Sequence, residues 1–256
     1  MTSQHRSSQR YRRRLVPEQA LLRQRLQRLA RRHPCYGYRR IHAILRREGW
    51  PCNRKRLQRL WRDEGLRLPT KPKRRRRGPR MPGHLVAARP DQLWAIDFVA
   101  DRTADGRPLK ILTVTDEHTR EALATPVARR MGADDTVNTL EQIVERRGRA
   151  PALIRCDNGP EFISQALRDW CRFNDTKTGY IEPGAPWQNP FVESFNGHLR
   201  RELLEIESFN SLFEAQLLVE DWRREYNHYR PHQSLSYMTP AEYAHQRRTD
   251  TQPELS

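Results

Sequence analysis

The sequence has few cysteines and lacks any long apolar run. Its four cysteines, Cys35, Cys52, Cys156 and Cys171, form no CxxC pair in 256 residues, which argues against a disulfide scaffold and indicates reduced thiols. No segment approaches the ~20 consecutive apolar residues of a membrane span, and no apolar signal core follows the Arg-rich N-terminus. We therefore expect a cytoplasmic protein with no membrane partner.

Zinc is an alternative use for the cysteines of the N-terminal part. His33, Cys35, His42 and Cys52 lie near one another in the sequence. Their spacings match none of the usual zinc finger, ribbon or knuckle patterns. We therefore favour ordinary helix and turn residues over a zinc site.

Acidic residues are scarce in the first 90 positions. That part holds 28 Lys and Arg against four acids, a net charge of +24, whereas residues 91–256 hold 20 basic and 27 acidic residues, a net charge of −7. Such an asymmetry indicates an N-terminal nucleic-acid-binding region ahead of a near-neutral globular domain. A solvated basic arm is the alternative.

Composition and periodicity divide the chain into five segments. We predict a disordered basic arm over 1–16, a small all-α DNA-binding domain of helix-turn-helix type over 17–65, a basic Pro-rich linker over 66–90, a catalytic core over 91–205, and C-terminal helices with a tail over 206–256.

The N-terminal domain carries the residues that we expect to contact DNA. Two amphipathic segments, 37–48 and 53–65, follow a Leu-patterned helix, and Asn53 is a good N-cap for the second of them. Two helices joined by a tight turn with glycine favour a helix-turn-helix; a hairpin that only packs on another domain is the alternative. The predicted DNA contacts here are Arg54, Lys55, Arg56 and Arg59 in the second segment, and Arg74, Arg75, Arg76 and Arg77 in the linker.

Strands and helices alternate from residue 91 onward. Apolar runs predict strands over 93–99, 109–115, 121–127, 152–156 and 178–182, and helical periodicity predicts helices over 134–147, 160–173, 189–203, 209–228 and 239–246. This order predicts an α/β fold, a mixed sheet with helices on its faces.

Three acids in this domain form a candidate metal site. Asp97 lies inside an apolar strand, Asp157 closes another, and Glu193 follows on a helix with 35 residues between it and Asp157. An ionised carboxylate in an apolar strand is costly unless it is paired or binds a metal. Three carboxylates suit two Mg²⁺ ions, with Mn²⁺ as a substitute, which can activate an attacking oxygen and stabilise a leaving one in phosphodiester chemistry.

Other acids compete for this role. We expect Asp91, Asp101 and Asp105 to be solvated. Asp116, the nearest rival of Asp97, is expected to begin a turn. Glu161 is expected in the first turn of the helix over 160–173, where a carboxylate complements the helix dipole.

Residues beside Glu193 are candidates for contact with DNA. Asn189, Asn196 and Arg200 share a helical stripe with Glu193, and Arg200 could hold a phosphate near the metals. Trp187 lies in the loop that leads into this helix and could contact a base. Plain packing for Trp187 and a surface position for Arg200 are the alternatives.

Four segments together resemble a known family. DQLWAIDF (91–98), IRCDNGPEF (154–162), PGAPWQNPFVESFNGHLRREL (183–203) and YNHYRPHQSL (226–235) are similar to the DDE-type transposases of bacterial insertion sequences, in particular to OrfB products. The segment HPCYGYRRIHAILRREGW (33–50) is similar to the small helical domain before their core. The resemblance covers about residues 33–244, and the D-35-E spacing is its most specific signal.

The resemblance implies a fold and an activity. It implies an RNase H-like core, with Asp97, Asp157 and Glu193 as catalytic metal ligands that cleave and transfer DNA strands at element ends. It further implies double-stranded DNA as partner, a homo-oligomer on DNA, and an OrfA-type protein, separate or fused upstream. The alternatives are an RNase H-like nuclease that only hydrolyses and a catalytically silent DNA-binding regulator.

Overall fold

The computed structural model describes residues 17–69, 86–181 and 189–249. These residues belong to two compact units, with the division between Pro72 and Lys73. The predicted linker contacts Arg74, Arg75, Arg76 and Arg77 and the loop residue Trp187 lie outside the described residues. In the part of the chain that is described, no helix is both long and apolar enough to cross a membrane.

In its described residues, 17–69, the first unit has three helices around a leucine-rich core. They are α1 (Pro17–Arg32), α2 (Tyr38–Arg47) and α3 (Arg54–Asp63). Their buried side chains include Leu22, Leu26, Leu29, Ile41, Leu45, Leu57 and Leu60. Asn53 caps α3, since its side chain accepts a hydrogen bond of 2.7 Å from the backbone N–H of Arg56, which confirms the predicted N-cap.

Acidic residues at the ends of α2 and α3 hold α1 in place. Glu48, which follows α2, accepts a 2.8 Å hydrogen bond from Nε of Arg25, and Glu64, which follows α3, pairs with Arg23. Two of the four acids in the basic part of the chain therefore have structural partners. Arg54, Lys55 and Arg59 stay exposed along α3.

The candidate zinc residues have other contacts. Cys52 is buried, and its carbonyl lies 3.0 Å from Nε2 of His42. His33 stacks on Tyr36 with ring centroids 4.6 Å apart. Across the described ranges, no group of three or more His, Cys, Asp or Glu residues is arranged to hold a metal ion in this conformation.

A mixed sheet forms the centre of the second unit. Its strands are β1 (Leu93–Arg102), β2 (Pro108–Asp116), β3 (Ala122–Ala124), β4 (Val127–Ala128), β5 (Leu153–Cys156) and β6 (Lys177–Tyr180). The order is β3-β2-β1-β5-β6, with β4 also paired to β2. Strand β1 is antiparallel to β2 and parallel to β5. The predicted strand over 121–127 is wrong as one element, because Pro126 has no N–H for a ladder and separates β3 from β4.

Helices cover both faces of this sheet. They are α4 (Ala133–Arg147), α5 (Gln165–Phe173), α6 (Pro190–Leu199) with a π-helical segment (Arg200–Leu204), α7 (Leu212–His228) and α8 (Pro240–Thr249), with a short 3₁₀ turn (Gln233–Leu235) before α8. The helix predicted over 160–173 begins later, because Ser164 caps α5. Glu161 is therefore not in a first helical turn as expected, and it pairs with Lys110.

Strand alternation sorts the side chains of β1 onto the two faces. On the first face, Trp94 and Ile96 pack in a cluster with Leu140 of α4 and Leu167 of α5. On the second face, Val99 packs with residues of the π-helical segment and α7. Because successive side chains of a strand point to opposite faces, Asp97 belongs to the second face.

Helix α7 is joined to the edge of the sheet through Asn227. Its side chain accepts a 2.8 Å hydrogen bond from the N–H of Ala122 and donates one of 2.9 Å to the carbonyl of the same residue. Arg223 donates to that carbonyl as well, at 2.9 Å. The polar backbone of β3 is thereby satisfied by a helix 105 residues away in the sequence.

Asn227→Ala should destabilise the protein by about 2 kcal/mol, because it leaves the buried N–H of Ala122 without its partner, while the carbonyl keeps its hydrogen bond from Arg223. Urea unfolding followed by tryptophan fluorescence measures the loss. Asp221→Ala, an exposed position on the same helix, is the control and should stay within about 0.5 kcal/mol of the wild type. Equal stabilities for the two variants would contradict the anchoring role of Asn227.

Candidate active site

Asp97 lies near the middle of β1 and is enclosed by the sheet and α6. One carboxylate oxygen accepts a 2.7 Å hydrogen bond from the backbone N–H of Phe98, and the other accepts one of 2.8 Å from Nδ2 of Asn196. The pKa of Asp97 is raised from 3.8 to about 6, first by burial and then by the charges of Asp157 and Glu193, against the effect of the hydrogen bonds from Phe98 and Asn196. Asp97 therefore lies close enough to both of the other candidate acids for their charges to act on it.

Strand register explains why Asp157 is close to Asp97. Strand β5 runs parallel to β1 and pairs Ala95 with Arg155. Asp97 lies two residues after Ala95, and Asp157 lies two residues after Arg155, so both side chains point to the second face. Asp157 is exposed at the strand end, and one of its oxygens accepts a 2.8 Å hydrogen bond from the N–H of Gly159.

Gly159 leaves room for this carboxylate. A Cβ at position 159 would lie 2.9 Å from Oδ1 of Asp157 and 3.3 Å from Oε2 of Glu161. The first distance is too short for a carbon–oxygen contact, so a larger residue would displace the Asp157 side chain or the loop. A residue with a Cβ at position 159 would therefore disturb the present hydrogen bond between Asp157 and the N–H of that residue.

Glu193 reaches the site from α6. It is exposed in the first turn of that helix, and partial burial raises its pKa. The start of α6 is held by the guanidinium of Arg120, which lies 3.5 Å from the ring centroid of Phe191. One turn after Glu193, Asn196 makes the contact to Asp97, so the helix supplies both a third carboxylate and a hydrogen bond to the first.

The predicted DNA-contacting residues of α6 differ in exposure. Arg200 is exposed at the start of the π-helical segment, whereas Asn189 and Asn196 are only 4% and 8% exposed. DNA contact stays a prediction for all three. The sequence interpretation did not predict that Asn196 bonds to Asp97. The signal for this contact was the position of Asn196 on the same helical stripe as Glu193.

The rival acids form a separate, buried cluster near the start of β1. Asp91 was expected to be solvated and is instead 4% exposed, because Arg147 of α4 pairs with it. Asp116 accepts hydrogen bonds of 2.8 Å from the N–H groups of His118 and Thr119, which confirms the predicted turn. Asp101 is half-buried and Asp105 is exposed.

A second buried ion pair was not anticipated. Glu117 and Arg155 are 2% and 6% exposed, and their charged atoms are 2.5 Å apart. Burial raises the pKa of Glu117 to about 7 although Arg155 acts in the opposite direction. The two residues are 38 positions apart in the sequence, so no local pattern could have linked them.

Asp97→Asn should raise the stability of the protein at neutral pH. Folded Asp97, with its pKa raised from 3.8 to about 6, binds a proton more tightly than the unfolded chain does. Its contribution to stability therefore falls as the pH rises between these two values. The amide removes this penalty, and Oδ1 of Asn196, which has no partner within the described ranges, can accept from it.

We expect a gain of about 1–3 kcal/mol at pH 8 and little change at pH 4, measured by urea unfolding in EDTA. Asp101→Asn on the same strand is the control and should show no such pH-dependent gain. A gain of the same size at both pH values would mean that the Asp97 charge is not the source of the penalty.

Three family matches cover most of the chain. Residues 17–75 match an HTH-like domain, residues 87–186 match an integrase core domain, and residues 174–240 match a further integrase core domain family. A chain of the simian T-cell lymphotropic virus intasome has a similar fold, with a TM-score of 0.54 at 16% identity over 80% of this chain and 69% of that chain. The RNase H-like fold and the helix-turn-helix-like domain are confirmed.

Curated relatives come from insertion elements. A 31.7 kDa protein of insertion element IS407 from Burkholderia multivorans is 38% identical over 229 residues, which cover 89% of this chain and 82% of that protein. Transposase InsD of insertion element IS2 from Escherichia coli is 30% identical over 226 residues, which cover 84% of this chain and 75% of that transposase. The chain belongs to the insertion-sequence transposases with an integrase core domain.

Proposed function

We propose that the protein is a transposase that uses divalent metal ions to cleave DNA and transfer its strands at the ends of an insertion sequence. One observation carries the proposal: on the second face of an RNase H-like sheet, burial and the charges of Asp157, at a strand end, and Glu193, on a helix, raise the pKa of Asp97. Family membership supports it.

The side chains suit a hard divalent cation. All three are carboxylates, the oxygen ligands that Mg²⁺ and Mn²⁺ prefer. Asp157 and Glu193 are exposed, and a cation would relieve the repulsion that their charges exert on Asp97. To bind a metal ion together with the other two acids, Asp157 would have to turn away from its hydrogen bond with Gly159. We propose that the site binds two Mg²⁺ ions, with Mn²⁺ as a substitute.

The residues of the chain have separate parts in the proposed reaction. Bound divalent ions would activate the attacking oxygen and stabilise the leaving oxygen of a phosphodiester. Asp97 is held by Asn196 and Phe98 in one orientation, which favours catalysis through positioning. The chemistry needs no covalent protein–DNA link, and the same carboxylates would serve two steps. In the first, water attacks a phosphodiester and the 3′-oxygen leaves as a 3′-hydroxyl. In the second, this hydroxyl attacks a target phosphodiester, and the 3′-oxygen of the target strand leaves.

The proposed partners follow from the first unit and from the family. Double-stranded DNA would be bound through the exposed face of α3, where Arg54, Lys55 and Arg59 supply phosphate contacts. Arg56 and Arg200 are further proposed DNA contacts. The similarity to OrfB products supports an OrfA-type partner and a homo-oligomer on DNA, in the cytoplasm of a bacterium.

Removal of any one acid should abolish strand transfer. Asp97→Asn, Asp157→Asn and Glu193→Gln should each lower the rate by roughly a thousandfold or more, since several kcal/mol of transition-state stabilisation are lost. Product formation from labelled oligonucleotide ends in Mg²⁺ is the measurement, with DNA affinity by filter binding in parallel. Asp101→Asn should keep both.

The products of this assay separate the alternatives. Joined products indicate a transposase, whereas cleavage without joining indicates a nuclease that only hydrolyses. Wild-type protein that binds DNA but yields neither product, with or without the OrfA-type partner, would indicate a silent regulator and refute the proposal.

Replacing the exposed basic residues of α3 by neutral ones should weaken DNA binding and make the affinity less dependent on salt. In the triple variant Arg54→Gln, Lys55→Gln, Arg59→Gln, the slope of log affinity against log salt should become less negative by about 0.9 for each phosphate that is no longer neutralised. A matched variant, Arg130→Gln, Arg149→Gln, Arg172→Gln, removes the same charge from exposed positions of the second unit. Identical slopes for the two triple variants would show that α3 is not the main phosphate-binding element.

A further inference from the structure

Arg230 is a charged side chain in the interior of the second unit. It follows α7 and is only 1% exposed, which makes it one of the largest fully buried side chains. Its Nε donates to Oε2 of Glu202 at 3.0 Å and its Nη2 donates to Oε1 at 2.6 Å. The guanidinium thus binds both oxygens of a carboxylate that belongs to the π-helical segment, a geometry that fixes orientation as well as distance.

His198 joins the same group from α6. Its Nδ1 lies 3.1 Å from Nη2 of Arg230 and 3.1 Å from Nη2 of Arg201. A guanidinium only donates hydrogen bonds, so Nδ1 is the acceptor in these two contacts, and the same atom lies 3.6 Å from Oε1 of Glu202. Arg230 therefore holds α6 and the π-helical segment at two points.

These contacts lie where the helix changes its hydrogen-bond pattern. Within the π-helical segment the N–H of Glu205 bonds to the carbonyl of Arg200 at 2.8 Å, a spacing of five residues. Such segments are rare and need support from their surroundings. Glu202 lies inside the segment, so its pairing with Arg230 supports it directly.

Arg230 and Glu193 lie on opposite flanks of this helical element. At 3.6 residues per turn, His198 falls on the flank away from Glu193, as does Phe195. Phe195 packs edge-on against Tyr226 with ring centroids 4.9 Å apart. The rotation of α6 about its own axis is thereby fixed from one flank, and the other flank presents Glu193 to the sheet.

We propose that Arg230 is a positioning residue for the metal site, which acts through Glu202 and His198 to set the rotation of α6 and thus the place of Glu193. The inference rests on the proposed function. Arg230 is too deeply buried to contact DNA. A buried ion pair often gives no more stability than apolar side chains of similar volume, so a role in orientation explains its presence better than stability does.

The experiment compares Arg230→Lys with Arg223→Lys. Lysine keeps the charge of Arg230 but cannot bind both oxygens of Glu202 and His198 together. Arg223 makes a similar pair with Glu220, with two hydrogen bonds of 2.7 Å. It lies on the flanking helix α7 and bonds to β3 rather than to the π-helical segment, which makes it the matched control. The measurements are Mn²⁺ binding by electron paramagnetic resonance, strand transfer, and DNA affinity.

For Arg230→Lys we expect Mn²⁺ affinity and strand transfer to fall by roughly 10-fold, the lower end of the effect of losing a residue that orients a metal ligand, since Arg230 acts only through α6. DNA affinity should stay at the wild-type value, because Arg230 is buried. Arg223→Lys should match the wild type in all three. Wild-type Mn²⁺ affinity in a folded Arg230→Lys protein would overturn the inference, as would an equal loss in both lysine variants.

A double variant guards against unfolding of Arg230→Lys. Arg230→Met with Glu202→Leu replaces the buried pair by apolar side chains and should fold, as judged by circular dichroism. Because this variant has no guanidinium to hold His198, its Mn²⁺ affinity should remain lowered, and recovery to the wild-type value would overturn the inference. Glu193→Gln serves as the reference: if it binds Mn²⁺ as the wild type does, the proposed function fails independently of Arg230.

Discussion

A carboxylate in the middle of a largely buried strand sets the main constraint on the second unit. Asp97 is held at a pKa of about 6 by burial and by its acidic neighbours, so its charge opposes folding at neutral pH. The surrounding structure accommodates it through a single backbone N–H and the amide of Asn196. The charge of Asp97 therefore lowers the free energy of unfolding, as is common where a site is preorganised for function.

The C-terminal part of the chain supports this arrangement from outside the sheet. Asn227 joins α7 to β3, Tyr226 packs on Phe195, and Arg230 binds the π-helical segment. The segment YNHYRPHQSL is therefore a structural support for the helix that carries Glu193.

Local sequence patterns predicted the features that depend on residues close together in the chain. The alternation around Asp97 predicted its strand, and Asn53 predicted the start of α3. Long-range partners decided the rest: Asp91 is buried because Arg147, 56 residues away, pairs with it, and Glu161 pairs with Lys110 across 51 residues. Spacing and resemblance predicted the three candidate acids, whereas the hydrogen bond between Asn196 and Asp97 depends on the packing of α6 on the sheet and could not be predicted from them.

The buried pair of Glu117 and Arg155 has a consequence for the charge of the site. Arg155 of β5 lies two residues before Asp157, and both side chains point to the second face of the sheet. Without a partner of its own, the guanidinium of Arg155 could turn toward the three acids and neutralise their charge. Glu117 holds it 2.5 Å away instead. Because Glu117 binds Arg155, this arginine does not neutralise the three candidate acids. Their negative charge can then attract cations from solution.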